Sequence, residues 1–197
     1  MEKTTSIDSI NERQYILDSL VEFAYEYKEQ QFQLSSGKHS NEYIDCRNML
    51  SRASLLPTIG SLFTEELKLN IQAVGGLTMG ADSISIATAL ITSYRHKNFK
   101  WFTIRKEIKK HGKQKLIEGA VVDGDCVAIM DDVITTGESI IEAIKKSQEF
   151  GLKVVQVLAL VDREEGGIEN IQNKYNIPIT ALFKKSKIRI AFENKNR

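Results

Sequence analysis

Apolar residues recur at helical spacing at Ile16, Leu17, Leu20, Val21, Ala24 and Tyr27, so the pattern predicts an amphipathic helix opening the chain. Short strands are expected at 32–34 and 42–46, around the polar turn SSGKHSN. Ser51 is placed to cap a second helix running to about residue 69, with Pro57 tolerated early or marking a kink. From there the pattern alternates. IQAVGG reads as a strand, ADSISIATALITSY as a helix and FKWFTI as a strand. Asp123 and Gly124 mark a tight turn before CVAIM, a continuous apolar strand. ESIIEAIKKSQEFG is a helix ended by Gly151, KVVQVLALV another apolar strand, 168–174 a short helix, and PITALF a final strand. Continuous apolar strands separated by helices indicate an α/β protein whose mostly parallel sheet is covered on both faces. The stretch before residue 70 fits this alternation less well and predicts a smaller subdomain there.

Composition limits what such a sheet could serve. The chain has 197 residues, 42% hydrophobic and 27% charged, which fits one soluble domain over 1–197. Its 27 basic and 26 acidic residues leave a net charge of +1, without the basic excess of a general nucleic-acid binder. An anionic ligand must therefore be met by a local cluster of cations. Cys46 and Cys126 form no Cys-x-x-Cys pair and read as reduced thiols of a cytoplasmic protein rather than a disulfide or metal site. The polar start MEKTTSIDSINERQ does not resemble a signal peptide, and residues 84–91 are too few and too Ser/Thr-rich to span a bilayer.

The chemistry concentrates in CVAIMDDVITTGESI. Packing gives no reason for an apolar strand to end on two adjacent acids, Asp131 and Asp132. In open α/β sheets ligands sit beyond the carboxyl ends of strands, and a helix starting near Gly137 would present free amides and a positive dipole end to a phosphate. Thr135, Thr136 and Ser139 add hydroxyls there, and Gly137 allows close backbone approach. The two carboxylates suit vicinal ribose hydroxyls, with or without Mg²⁺. A sugar phosphate satisfies both halves; a helix cap with incidental acids is the plainer alternative. Neither Gly-x-x-x-x-Gly-Lys-Ser/Thr nor Gly-x-Gly-x-x-Gly is present, so a P-loop nucleotidase and a Rossmann dehydrogenase are unsupported.

VAIMDDVITTGES resembles the phosphoribosyl-diphosphate (PRPP) motif of the type I phosphoribosyltransferases. Four further segments resemble the orotate-specific branch of that family. IRKEIKKHGKQKLIEG, a charge run that otherwise reads as a solvated loop, has the Arg-Lys-Glu-x-Lys-x-His spacing of its catalytic loop. DREEGG resembles its orotate-recognition element; taken alone, Arg163 would as readily pair with Glu164 or Glu165. LSSGKHSNEYIDCR resembles its hood segment, and VGGLTMGADSI its diphosphate-facing loop. The matches run over 34–167 in the family's order.

The resemblance implies a type I phosphoribosyltransferase fold, with about residues 1–50 contributing a small N-terminal hood. It implies phosphoribosyl transfer from PRPP to orotate, giving orotidine monophosphate and diphosphate, with Mg²⁺ entering mainly through PRPP and no metal site of the protein's own. Lys109 leads the implied catalytic set, with Arg105, His111, Asp131 and Asp132. The implied PRPP contacts are Arg105, Lys106, Lys109 and His111, then Asp131, Asp132, Val133, Ile134, Thr135, Thr136, Gly137, Glu138 and Ser139. Thr135 and Arg163 would hold orotate. Glu138, where small residues are common, must turn its charge from the phosphate. Ser35 and Met79 stand where some members carry lysine, and amides near Gly80 are expected to substitute in part. The resemblance also implies a cytoplasmic homodimer in which Arg105, Lys109 and His111 cross to the partner's pocket while Lys106 stays at its own. Rival readings are a purine phosphoribosyltransferase, a non-catalytic PRPP-binding regulator and a decayed enzyme.

Overall fold

The computed structural model describes residues 7–33, 39–107 and 115–196. Helix α1 (Ile7–Phe23) buries Ile16, Leu17, Leu20 and Val21 as its spacing requires. It stops short of the expected Ala24 and Tyr27. Tyr25 instead begins β1 (Tyr25–Gln33), which pairs antiparallel with β2 (His39–Ile44). The exchange of partners explains the stop: the Tyr25 hydroxyl donates to Glu42 Oε1 across the ladder at 2.7 Å, and burial, with that bond and the Glu42 charge, pushes its pKa up. Cys46, placed on a strand by its pattern, instead starts α2 (Cys46–Leu50), capped by the Asp45 carboxylate. Ser51 closes this short helix, its hydroxyl donating to the Asn48 carbonyl, and so does not cap the next one. A 3₁₀ turn at Ala53–Leu55 leads into α3 (Leu56–Glu66), where Pro57 falls in the first turn and its missing N–H breaks no bond.

The main sheet holds β3 (Ala73–Leu77), β4 (Lys100–Ile104), β5 (Ile117–Gly119), β6 (Cys126–Ile134), β7 (Lys153–Asp162) and β8 (Ile179–Lys184). Their order is β5-β4-β3-β6-β7-β8, parallel except for β5 against β4. Helices α4 (Asp82–Ser93), α5 (Glu138–Glu149), α6 (Gly167–Lys174) and α7 (Lys185–Lys195) complete the described elements. Strand β6 shows why the apolar run is continuous. Ala128 and Met130 pack with α1, α3, α4 and α7, while Val127 and Ile129 pack with α5 and α6. The period-2 alternation feeds two cores at once.

Two features of the sheet bear on the site, the first of them a departure from the sequence pattern. First, β6 does not end at Met130: β7 pairs with it as far as Ile134–Asp162, so Asp131 and Asp132 lie within the strand. Second, the chain moves outward from β3 to β4 and β5, then crosses back to β6 and on to β7 and β8. Strands β3 and β6 are therefore neighbours whose connections leave in opposite directions, and they pair only from Ala73–Val127 to Gly75–Ile129. Beyond that they part, opening the crevice in which such sheets bind ligands.

Candidate active site

A cavity of about 650 Å³ occupies this crevice. Its floor is the carboxylate pair. The amide of Asp132 donates to Asp131 Oδ1 at 3.1 Å, and that of Val133 to Asp132 Oδ1 at 2.9 Å. Burial and the neighbouring Asp132 charge push Asp131 up to about 8, against the opposing pull of Lys106; burial also raises Asp132. Two buried acids reluctant to ionise together gain from any hydroxyl donor or cation delivered between them.

Thr78, Met79 and Gly80 form the facing wall. Asp82 braces it, accepting the hydroxyls of Thr78 and, on β4, Thr103, each at 2.7 Å. The amides of Ala81 and Asp82 are bonded within the turn, to the Leu77 and Met79 carbonyls, so neither serves as the open donor expected near Gly80. Met79 is exposed, and Ser35 lies outside the described residues.

Between β6 and α5 a smaller cradle of about 60 Å³ is lined by Val133, Ile134, Thr135, Thr136, Gly137, Glu138 and Ser139. Gly137 caps α5 with φ +83°, a left-handed conformation that glycine adopts without strain. The loop is held from behind. Asn170 Nδ2 donates to the Thr136 carbonyl at 2.8 Å, and a Cβ on Gly137 would stand 2.7 Å from the Gly167 carbonyl oxygen. Glu138 is exposed at the first turn of α5.

Arg163 closes another side. It is 8% exposed, and its amide donates to the Ile134 carbonyl at 2.9 Å. Its Nη2 pairs with Glu165 at 3.0 Å, while its buried Nε has no partner. Glu164 does not pair with it. Instead Glu164 accepts the Ser186 amide at 2.8 Å, and that bond holds its carboxyl below the usual range. The arginine thus keeps donor capacity at the cavity wall.

Of the four cationic-loop residues singled out by sequence, Lys106 lines the cavity. Arg105 turns to Glu118 across the β4–β5 pair, at 3.3 Å. Lys109 and His111 lie outside the described residues. Thr135 and Ser139 join Asp131, Asp132 and Arg163 around the same space. Tyr43, Asp45 and Arg47 are among the wall residues not singled out. Asp45 takes a forked pair of bonds from Arg47 Nε and Nη2 at 2.8 and 2.7 Å, which lowers the Asp45 pKa. An aspartate at a helix start two residues before an arginine was the available signal. Cys46, fully buried beside these acids, has its thiol pushed up by burial and their charge, so it is a poor nucleophile here.

No family model matches the chain. Curated relatives do. The chain is similar to orotate phosphoribosyltransferase of Aquifex aeolicus, 44% identical over 158 residues, covering 80% of this chain and 86% of that protein. It is 42% identical over 168 residues to that of Leptospira biflexa, covering 83% and 90%. In fold it is similar to the crystal structure of Mycobacterium tuberculosis orotate phosphoribosyltransferase in complex with PRPP, with TM-score 0.73 and 28% identity over 90% of this chain and 98% of that one. Matched over most of its length in sequence and in fold, the chain belongs to the orotate phosphoribosyltransferase family.

Proposed function

We propose that the protein transfers the phosphoribosyl group of PRPP to a ring nitrogen of orotate, yielding orotidine monophosphate and diphosphate in pyrimidine biosynthesis. The observation that carries this reading is the meeting, at the β3–β6 crevice, of a buried carboxylate pair, a phosphate cradle and a buried arginine with an unpartnered donor. The PRPP complex of the mycobacterial relative supports the donor substrate.

Asp131 and Asp132 accept hydrogen bonds from the vicinal ribose hydroxyls, and Thr135, Thr136, Gly137 and Ser139 hold the 5′-phosphate at the start of α5. Arg163, with Thr135, orients the orotate carboxylate and ring. As the C1′–O bond to diphosphate breaks, positive charge grows on the anomeric carbon and negative charge on the leaving group. Lys106, Lys109, Arg105 and His111 stabilise that leaving charge, the kind of electrostatic help that dominates such reactions. The orotate nitrogen then forms the new bond to C1′, its ring N–H proton passing to the departing diphosphate. Carboxylate oxygens also suit Mg²⁺, which would be held chiefly through PRPP. Bound there, Mg²⁺ would offset diphosphate charge.

A homodimer with shared sites is part of the same proposal. Ile86 and Leu90 on α4 and Tyr94 at its C-cap follow one another at four-residue spacing and are exposed, as are Met79 and Trp101. An apolar face of this kind suits a second copy. The Arg105 side chain, turned from its own cavity, fits a role in the partner's. No described helix is long and apolar enough to cross a membrane, and free Cys46 and Cys126 support action in the cytoplasm. The test is direct: purified protein with PRPP and Mg²⁺ should consume orotate, read as loss of its absorbance, while adenine, guanine and hypoxanthine fail to replace it. Turnover of a purine and not orotate would overturn the acceptor.

A further inference from the structure

Lys146 lies on α5 two turns beyond the cradle, and its side chain is only 14% exposed. Its neighbour Lys145 pairs with Glu149 at 3.8 Å and remains 70% exposed, the ordinary state of a helical lysine. Lys146 also has a glutamate one turn away, Glu142, yet its ammonium is drawn inward. Nζ donates to the carbonyl of Arg105 at 3.1 Å and to that of Lys106 at 3.0 Å. Two carbonyls and one carboxylate match the three N–H donors of an ammonium, so none is left for a substrate.

Arg105 and Lys106 are where the chain leaves β4. The amide of Arg105 is already bonded to the Leu116 carbonyl at 2.9 Å, and its side chain to Glu118. Lys146 fixes the opposite edge of the same backbone. Held on both sides, the segment sends the Arg105 side chain to β5 and the Lys106 side chain into the cavity. We infer that Lys146 is a positioning residue: by gripping two carbonyls at the end of β4, it aims Lys106 at the diphosphate side of the PRPP site. The inference rests on the phosphoribosyl-transfer reading.

The test compares Lys146→Met, which keeps length without donors, with Lys146→Arg, which keeps donors, and places Lys146→Met in a Lys106→Met background. PRPP affinity is read by calorimetry, alongside KM for each substrate and hydrogen exchange at the Arg105 amide. Lys146→Met should weaken PRPP about tenfold, the scale of losing a hydrogen bond to a charged group, with the orotate KM little changed. Lys146→Arg should lose less. In the Lys106→Met background the same change should add less than about twofold, because its target is gone. Exchange should quicken at Arg105 while α5 keeps its protection. Multiplying effects, equal damage by Lys146→Arg, or protection lost throughout α5 would each overturn the role. If Lys146→Met does not fold, Lys146→Gln carries the same comparisons. PRPP affinity is read without turnover, so a protein that binds PRPP but ignores orotate would overturn the proposed acceptor and still decide the part played by Lys146.

Discussion

Gly80 stands so close to Asp132 that a Cβ on the glycine would lie 2.8 Å from Asp132 Oδ1, and equally near Asp131 Oδ1. A loop from one half of the sheet thus meets the carboxylates of the other, backbone against oxygen. Gly80→Ala should force the walls of the crevice apart. Overpacking of this kind typically costs about 1–3 kcal/mol, so kcat/KM for PRPP should fall roughly tenfold or more while circular dichroism is unchanged. Wild-type kinetics would show that the crevice yields freely.

The raised carboxyl pair predicts a pH signature in the ligand-free protein. Asp131 binds its proton more tightly in the folded state, up to about 8, because burial and Asp132 disfavour its charge. The stability this gives is complete below the ordinary carboxylate range and is lost as pH rises through about 8. Asp131→Asn removes that loss. Calorimetry should find the variant melting above wild type at alkaline pH and converging with it in acid, while turnover drops. A variant less stable at alkaline pH would mean the carboxylate is stabilising there.

Arg163→Ala should raise the orotate KM strongly and leave PRPP affinity largely intact. Glu165→Gln, which loosens the partner at 3.0 Å but keeps the arginine, should do the same more weakly. Equal loss of both substrates from Arg163→Ala would make the arginine a structural residue.

The proposed crossing of the cationic loop is open to complementation. Lys109→Ala should cut turnover by about a hundredfold or more, the scale of one preorganised donor to a developing anion. Asp132→Asn damages the pocket instead. When equal amounts are mixed and allowed to exchange, half the dimers are mixed, each with one intact site, so activity should recover to roughly one quarter of wild type. Exchange without recovery would mean each loop serves its own pocket.

The sheet was readable because its strands are apolar on both faces, and the site because β6 carries two acids that packing cannot explain. What escaped notice had weak or misleading local signals. Helix α7 contributes Ile188, Ala191 and Phe192 to the core, but five lysines and arginines over 184–195 mask that stripe. Its role becomes visible only when Phe192 meets Tyr25, ring centroids 5.1 Å apart. Strand β5 is three residues long, below any periodicity. Tyr27 kept helical phase with α1 and was lost to a ladder whose partner, Glu42, lies fifteen residues on. Lys146 sits at an ordinary i,i+4 spacing from Glu142, and sequence offers no hint that its ammonium reaches across to β4.

The backbone contact between the cradle and α6 has a consequence for any attempt to retarget this protein. Gly167 leaves no room: a Cβ there would come 2.5 Å from the Thr135 carbonyl oxygen and 3.0 Å from the Gly137 nitrogen. The turn bearing Arg163 and the loop proposed to hold the phosphate are therefore two sides of a single wall. A side chain introduced at Gly167 would also displace the donor's anchor, whereas truncating the Arg163 side chain leaves that backbone contact in place. Acceptor preference can be tuned apart from donor affinity only through side chains that leave this contact untouched, and a variant rebuilt at Gly167 should be found altered in both.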